Sequence, residues 1–323
     1  MRFATLDNGR PDGQLVIVSA DGRRCLAAAG IANTLQQAIE QWDKAEPGLK
    51  NIDTRLAQGE GEALDHGRLL APLPRSWQWL DGSAFPQHGE LMQRAFGLPP
   101  IETDRPLMYQ GMSDRFLPGH ADVPLPSEAD GIDFEGEFGV ITDAVPMGTN
   151  AEEAMKHIKL IILINDWSLR AIAPVEMKTG FGWVQAKPAC SAAPFAVTPD
   201  DLGDAWKDGR VYLPLEVELN DQWFGNPNGG EMEIGFHELI AHAARTRDLV
   251  AGTIIGSGTV SNADYANVGS ACISERRAIE MIVSGTPTTP FLRFGDRVQM
   301  QVPGGPFGAL DQKIAKVSGP VRG

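Results

Sequence analysis

Apolar and polar positions alternate with a period that changes several times along this chain of 323 residues, and each change marks an element. Gln14–Val18 and residues 25–28 are short apolar runs separated by Asp21-Gly22, the signature of a hairpin turn. Leu35, Ile39 and Trp42 then recur at helical spacing behind Thr34, a residue suited to capping the first free amides of a helix. Short runs over residues 137–142, 160–165, 211–219, 252–258 and 297–302 predict strands. Helices are predicted from near Asn150, with Glu153 placed as in a capping box, and over residues 236–246. Thirty-six glycines and twenty-three prolines among these short strands indicate a strand-dominated α+β fold with many turns. The segment Ala71-Pro72-Leu73-Pro74 favours an extended linker, which predicts a small β-rich N-terminal domain (1–70) and a larger domain (71–323).

Several acidic residues break this pattern. Residues 160–164 form an almost continuous aliphatic run, the mark of a strand buried on both faces, yet Asp166 follows at once. Upstream, Asp133-Phe134-Glu135-Gly136-Glu137-Phe138 places Glu135 and Glu137 on one face of a strand, roughly 7 Å apart. A solvent-facing strand would carry two such glutamates without consequence. Ionised carboxylates on an apolar face, in contrast, need a positive partner, and a hard divalent cation is the simplest one.

Charge narrows the partners. Forty-two acidic against twenty-eight basic residues give a formal net charge of −14, which argues against nucleic acid or an anionic membrane as a partner. An anionic substrate requires a few cations gathered in a pocket. The first residues turn polar too early for a signal peptide, and no stretch approaches a membrane span. Cys25, Cys190 and Cys272 are odd in number and widely spaced, as free thiols in a reducing cytoplasm would be. The pair His237 and His242 has one residue too many for a zinc-protease helix motif, because positions five apart diverge by about 140°. An interface or surface pair is the plainer reading. Gly256-Ser257-Gly258-Thr259 is not a dinucleotide fingerprint, though its backbone can approach a ligand closely.

Asp81 and His88 flank a six-residue stretch, and Tyr109-Gln110-Gly111-Met112-Ser113, Glu135-Gly136-Glu137, Asn165-Asp166-Trp167-Ser168-Leu169-Arg170, Ala186-Lys187 and Gly256-Ser257-Gly258-Thr259-Val260-Ser261 follow. In this order the blocks resemble the fumarylacetoacetate hydrolase family, over about residues 75–310. The resemblance implies a mixed β-sandwich roll with a small N-terminal β-rich domain, a homodimer and a place in aromatic catabolism. It implies a divalent metal, Mg²⁺ or alternatively Mn²⁺ or Ca²⁺, held by Asp81, Glu135, Glu137 and Asp166. His88 falls at the family's catalytic base and Lys187 at its oxyanion-stabilising lysine, while Tyr109, Arg170 and Thr259 match substrate-side positions. Two positions depart from the family. Ile273 stands where the base's partner glutamate is expected, with Glu275 two residues on and so expected on the same strand face, and Ala173 replaces a substrate-binding glutamine.

The function that follows is hydrolysis of a C–C bond in a 1,3-dicarbonyl acid of the acylpyruvate type, a small anionic 2-oxo acid. The first alternative is decarboxylation, isomerisation or dehydration of a 2-oxo acid on the same metal site. The second is a non-catalytic protein stabilised by its cation.

Overall fold

The computed structural model describes residues 1–97, 99 and 103–317. Its centre is the aliphatic run, now seen as the strand Ile158–Asn165 with both faces covered. Ile161 and Leu163 pack with Phe138, Val140 and Ile255 in one core. Leu160, Ile162 and Ile164 pack with Trp79, Ile141 and Ile254 in a second core on the opposite face. Such two-sided burial is what a run without polar alternation requires.

Gly136–Thr142 pairs antiparallel with Ile158–Asn165 on one side and with Thr253–Gly256 on the other. Thr253–Gly256 runs parallel to Trp79–Gly82, which pairs antiparallel with Met108–Gly111. Among the described residues these belong to a twelve-stranded sheet, accompanied by a five-stranded sheet that includes Glu216–Leu219, Arg297–Gln301 and Ala309–Lys316. Val217, Val298, Met300 and Leu310 of the smaller sheet close on the first core. The result is a mixed-sheet α+β fold with a buried layer between its sheets.

The N-terminal hairpin forms between Gln14–Val18 and Arg24–Ala27, with Gly22 in the left-handed region at φ 72°. Arg2–Leu6 pairs with Gln14–Val18 and reaches Ala196 and Val197, so these strands extend the large sheet. Helices Leu35–Glu40 and Trp42–Ala57 lay Leu35, Ile39, Trp42 and Leu49 on its second face. Thr34 caps the first of them, its hydroxyl accepting from the Gln37 amide at 3.2 Å.

Two predicted elements differ from expectation, and two helices stand where none was predicted. The strand anticipated over 211–219 is split into Arg210–Val211 and Glu216–Leu219, because Pro214 has no amide to donate to a ladder. The helix after Asn150 is a single turn, Ala151–Ala154, although Asn150 does accept from the Glu153 amide at 2.9 Å. Pro86–Phe96, which carries His88, and Ile273–Ser284, where Glu275 was expected on a strand face, are helices packed against each other. Proline at the first position and Gly97 in the left-handed conformation at the end delimit the former.

Candidate active site

The four carboxylates expected to hold a metal converge at strand ends. Asp81 lies near the end of Trp79–Gly82, Glu135 and Glu137 flank the start of Gly136–Thr142, and Asp166 follows Ile158–Asn165. All four are buried, and each offers an oxygen within 4.8 Å of the others. Gly256, opposite Asp81 in the adjacent strand, leaves this space open: a Cβ there would collide with Asp81 Oδ1 and the Trp79 ring.

Cations enter from one side. Lys187 Nζ donates to Glu135 Oε2 at 2.8 Å, Asp166 Oδ2 at 2.6 Å and Ser168 Oγ at 2.8 Å. Burial alone would lower the Lys187 ammonium's pKa, but Asp166 and Glu135 outweigh it and hold the group cationic. Arg170 donates through Nε to Asp133 at 2.8 Å and through its other arm to Glu135 Oε1 at 2.6 Å. Against the cost of burial, Lys187 and Arg170 keep the Glu135 carboxyl below its ordinary range.

Neither Asp81 nor Glu137 forms an ion pair among the described residues. Burial pushes both carboxyls well above the ordinary value, with Asp166 next in raising Asp81 and the facing Asp81 next in raising Glu137. Both Glu137 oxygens are buried without a hydrogen-bond donor among the described residues. Orphaned carboxylate oxygens within reach of three others form an all-oxygen donor set, and that chemistry fits a hard divalent cation.

His88 stands on the first turn of Pro86–Phe96, and its Nδ1 lies 3.0 Å from Glu275 Oε2. Glu275 is fully buried on the first turn of Ile273–Ser284 rather than on a strand. The helix begins there because Asp133 accepts from the Ile273 amide at 2.7 Å and the Ser274 amide at 2.9 Å, and Cys272 Sγ accepts from the Glu275 amide at 3.3 Å. Helix packing, not strand alternation, brings the displaced glutamate to the histidine. Tyr109 donates to Asp166 Oδ2 at 2.6 Å. Thr259 is buried one residue beyond Gly258, whose amide donates to Asp81 Oδ1 at 3.1 Å.

The family model for the fumarylacetoacetate hydrolase C-terminal domain matches residues 78–315, and that for fumarylacetoacetase N-terminal domain 2 matches residues 1–75. The chain belongs to the fumarylacetoacetate hydrolase family. Among its relatives is the 2,4-didehydro-3-deoxy-L-rhamnonate hydrolase of a Sphingomonas species, 25% identical over 163 residues, half of this chain and 54% of that protein. The chain thus matches about half the length of that relative. The oxaloacetate tautomerase of Bacillus subtilis is 22% identical over 256 residues, covering 78% of this chain and 74% of that one. Maleylpyruvate hydrolase from Sphingobium sp. SYK-6, solved with manganese(II) and pyruvate, superposes with a TM-score of 0.67 at 16% identity, covering 98% of this chain and 99% of that chain. At such identity the likeness establishes the shared fold.

Within this member of the fumarylacetoacetate hydrolase family, sequence reasoning left three neighbours of the cluster unassigned. Asp133 ties Arg170 to the start of Ile273–Ser284, and its signal was its place on the same strand face as Glu135 and Glu137. Cys190 donates through Sγ to Asp166 Oδ1 at 3.0 Å, a contact that no sequence spacing announces. Trp183 packs edge-on to Tyr109 with ring centroids 4.8 Å apart, each ring within 6 Å of the Lys187 ammonium. His237 and His242 sit on Phe236–Ala243 and are not members of the carboxylate cluster.

Proposed function

We propose that the protein is a divalent-metal-dependent hydrolase that cleaves a C–C bond in a 1,3-dicarbonyl acid of the acylpyruvate type. One observation carries this reading: a histidine held at 3.0 Å by a fully buried glutamate, beside an all-carboxylate cluster. Isomerising or decarboxylating a 2-oxo acid needs no base for water, whereas hydrolysis does. The two hydrolases among the relatives, one solved with manganese(II) and pyruvate, support the same choice.

Asp81, Glu135, Glu137 and Asp166 would hold the cation, Mg²⁺ by preference, with Mn²⁺ or Ca²⁺ as alternatives. When bound, such a cation supplies Lewis acidity at the 2-oxo acid end of the substrate. With Nδ1 donating to Glu275, His88 keeps Nε2 to take a proton from the water that attacks the distal carbonyl. Lys187, held cationic, faces the negative oxygen that develops there, a contribution of about 3–4 kcal/mol to the transition state. Tyr109, Arg170 and Thr259 orient the substrate. The C–C bond then breaks, its electron pair leaves as an enolate, and the proton held by His88 goes to that carbon. The products are a carboxylic acid and pyruvate or a relative of it. A homodimer in the cytoplasm, acting on a small anionic acid, completes the reading.

The oxaloacetate tautomerase among the relatives favours a second reading, keto–enol isomerisation of a 2-oxo acid on the same cluster. The substitution His88→Ala separates the two. On an acylpyruvate turned over with Mg²⁺ or Mn²⁺, hydrolysis predicts a fall in kcat of roughly 10²–10⁴ for His88→Ala and a smaller fall for Glu275→Gln. Near-wild-type turnover in His88→Ala would remove the hydrolytic mechanism.

A further inference from the structure

Cys190 stands where the register of the large sheet puts it, across from Asp166. In the antiparallel pairing Ile164 lies opposite Ala192 and Asn165 opposite Ser191, so the next position on each segment brings Asp166 and Cys190 together. The segment from Lys187 to Ser191 then grips the three residues that follow the central strand. Lys187 donates to Asp166 Oδ2 and Ser168 Oγ, Cys190 donates to Asp166 Oδ1, and Ser191 Oγ accepts from the Trp167 indole at 2.9 Å. Both Cys190 and Asp166 are buried.

These donors divide the Asp166 carboxylate unequally. A carboxylate oxygen offers two lone pairs. Those of Oδ2 are taken by Tyr109 Oη and Lys187 Nζ, both at 2.6 Å. Among the described residues Oδ1 accepts from the Cys190 thiol alone, at 3.0 Å. One lone pair of Oδ1 therefore stays free, and a thiol is a weak donor that leaves this oxygen most of its negative charge. Glu137 of the same cluster, fully buried with both oxygens unpartnered among the described residues, independently marks the space as one that calls for a ligand.

We propose that Cys190 is a positioning residue for the metal: its thiol turns the Asp166 carboxylate so that Oδ1 is the oxygen presented to a divalent cation. The inference rests on the metal-centred reading above. Cys190 is not itself a member of the carboxylate cluster, so it acts through Asp166. It also packs with Phe116, Ile164 and Ala192 in the second core, as a small buried cysteine does without any further role. The two roles ask different things of a replacement. Packing asks for apolar volume, whereas positioning asks for a hydrogen-bond donor.

The test is calorimetric titration of the wild-type protein, Cys190→Ala and Cys190→Ser with Mn²⁺. Positioning predicts that Cys190→Ala weakens Mn²⁺ binding about tenfold or more, the usual cost of losing a group that orients a metal ligand. Cys190→Ser, whose hydroxyl donates from the same place, should keep most of the affinity. Wild-type affinity in Cys190→Ala, or a serine variant no better than the alanine one, would overturn the proposal. Infrared spectroscopy adds a readout that does not depend on the alanine variant folding. The S–H stretching band of Cys190 is assigned from the difference between the wild-type protein and Cys190→Ser. A cation on Asp166 draws charge from Oδ1, so Mn²⁺ should weaken the thiol's hydrogen bond and move this band to higher frequency. A band that Mn²⁺ leaves in place would overturn the positioning role. If the wild-type protein binds no Mn²⁺, the metal-centred reading fails and this proposal with it. If it binds Mn²⁺ and Cys190→Ala binds it equally well, the positioning role alone fails.

Discussion

Glu137 concentrates the electrostatic problem of the site in one side chain. It is fully buried, faces three other carboxylates, and finds no donor for either oxygen among the described residues. Lys187 and Arg170 balance Glu135, and Lys187 also balances Asp166, but neither reaches Glu137 with a hydrogen bond. An unpaired buried carboxylate either takes a proton or binds a cation. Glu137→Ala should therefore abolish binding of Mg²⁺ or Mn²⁺ in calorimetry while the chain stays folded. Unchanged stoichiometry and affinity in that variant would refute the assigned ligand set. This residue was legible in the sequence because an acidic side chain inside an apolar strand run is costly without a reason. Cys190, which touches Asp166, was not, since a lone thiol far along the chain carries no pattern.

At the scale of elements, the site depends on two helices that the hydrophobic pattern did not reveal. Pro86–Phe96 has one fully buried residue, Leu91, so its periodicity is weak, and only Pro86 and Gly97 mark its ends. Ile273–Ser284 starts inside a segment that reads as strand, and its first turn is fixed by Asp133, 140 residues away. No local signal encodes such a contact, which is why Glu275 was expected on a strand face. The strands around the carboxylates, in contrast, follow from two-sided burial and were legible within a few residues. Asp133 offers the test at this scale. Its carboxylate caps the helix and pairs with Arg170, so Asp133→Asn should cost about 1–3 kcal/mol of stability, measured by denaturant unfolding. The same variant should slow turnover by loosening Glu275 and Arg170 together. Wild-type stability would show that the helix start needs no anionic cap.

For the whole molecule, the carboxylate cluster lies where three strand ends of the large sheet meet, so a bound cation would tie together segments distant in sequence. Mass action then requires added metal to raise the melting temperature, by the equivalent of about 2.7 kcal/mol at a hundredfold excess over Kd. No shift with Mg²⁺, Mn²⁺ or Ca²⁺ would contradict a metal centre in this fold. Family membership and fold place the chain among relatives that include both hydrolases and a tautomerase, so the reaction rests on the site rather than on the fold. The most direct measurement runs the enzyme on an acylpyruvate in water labelled with heavy oxygen and follows the products by mass spectrometry. Hydrolysis at the His88–Glu275 pair predicts one labelled oxygen in the newly formed carboxylate. Turnover that yields no cleavage and no label in a new carboxylate would contradict the account.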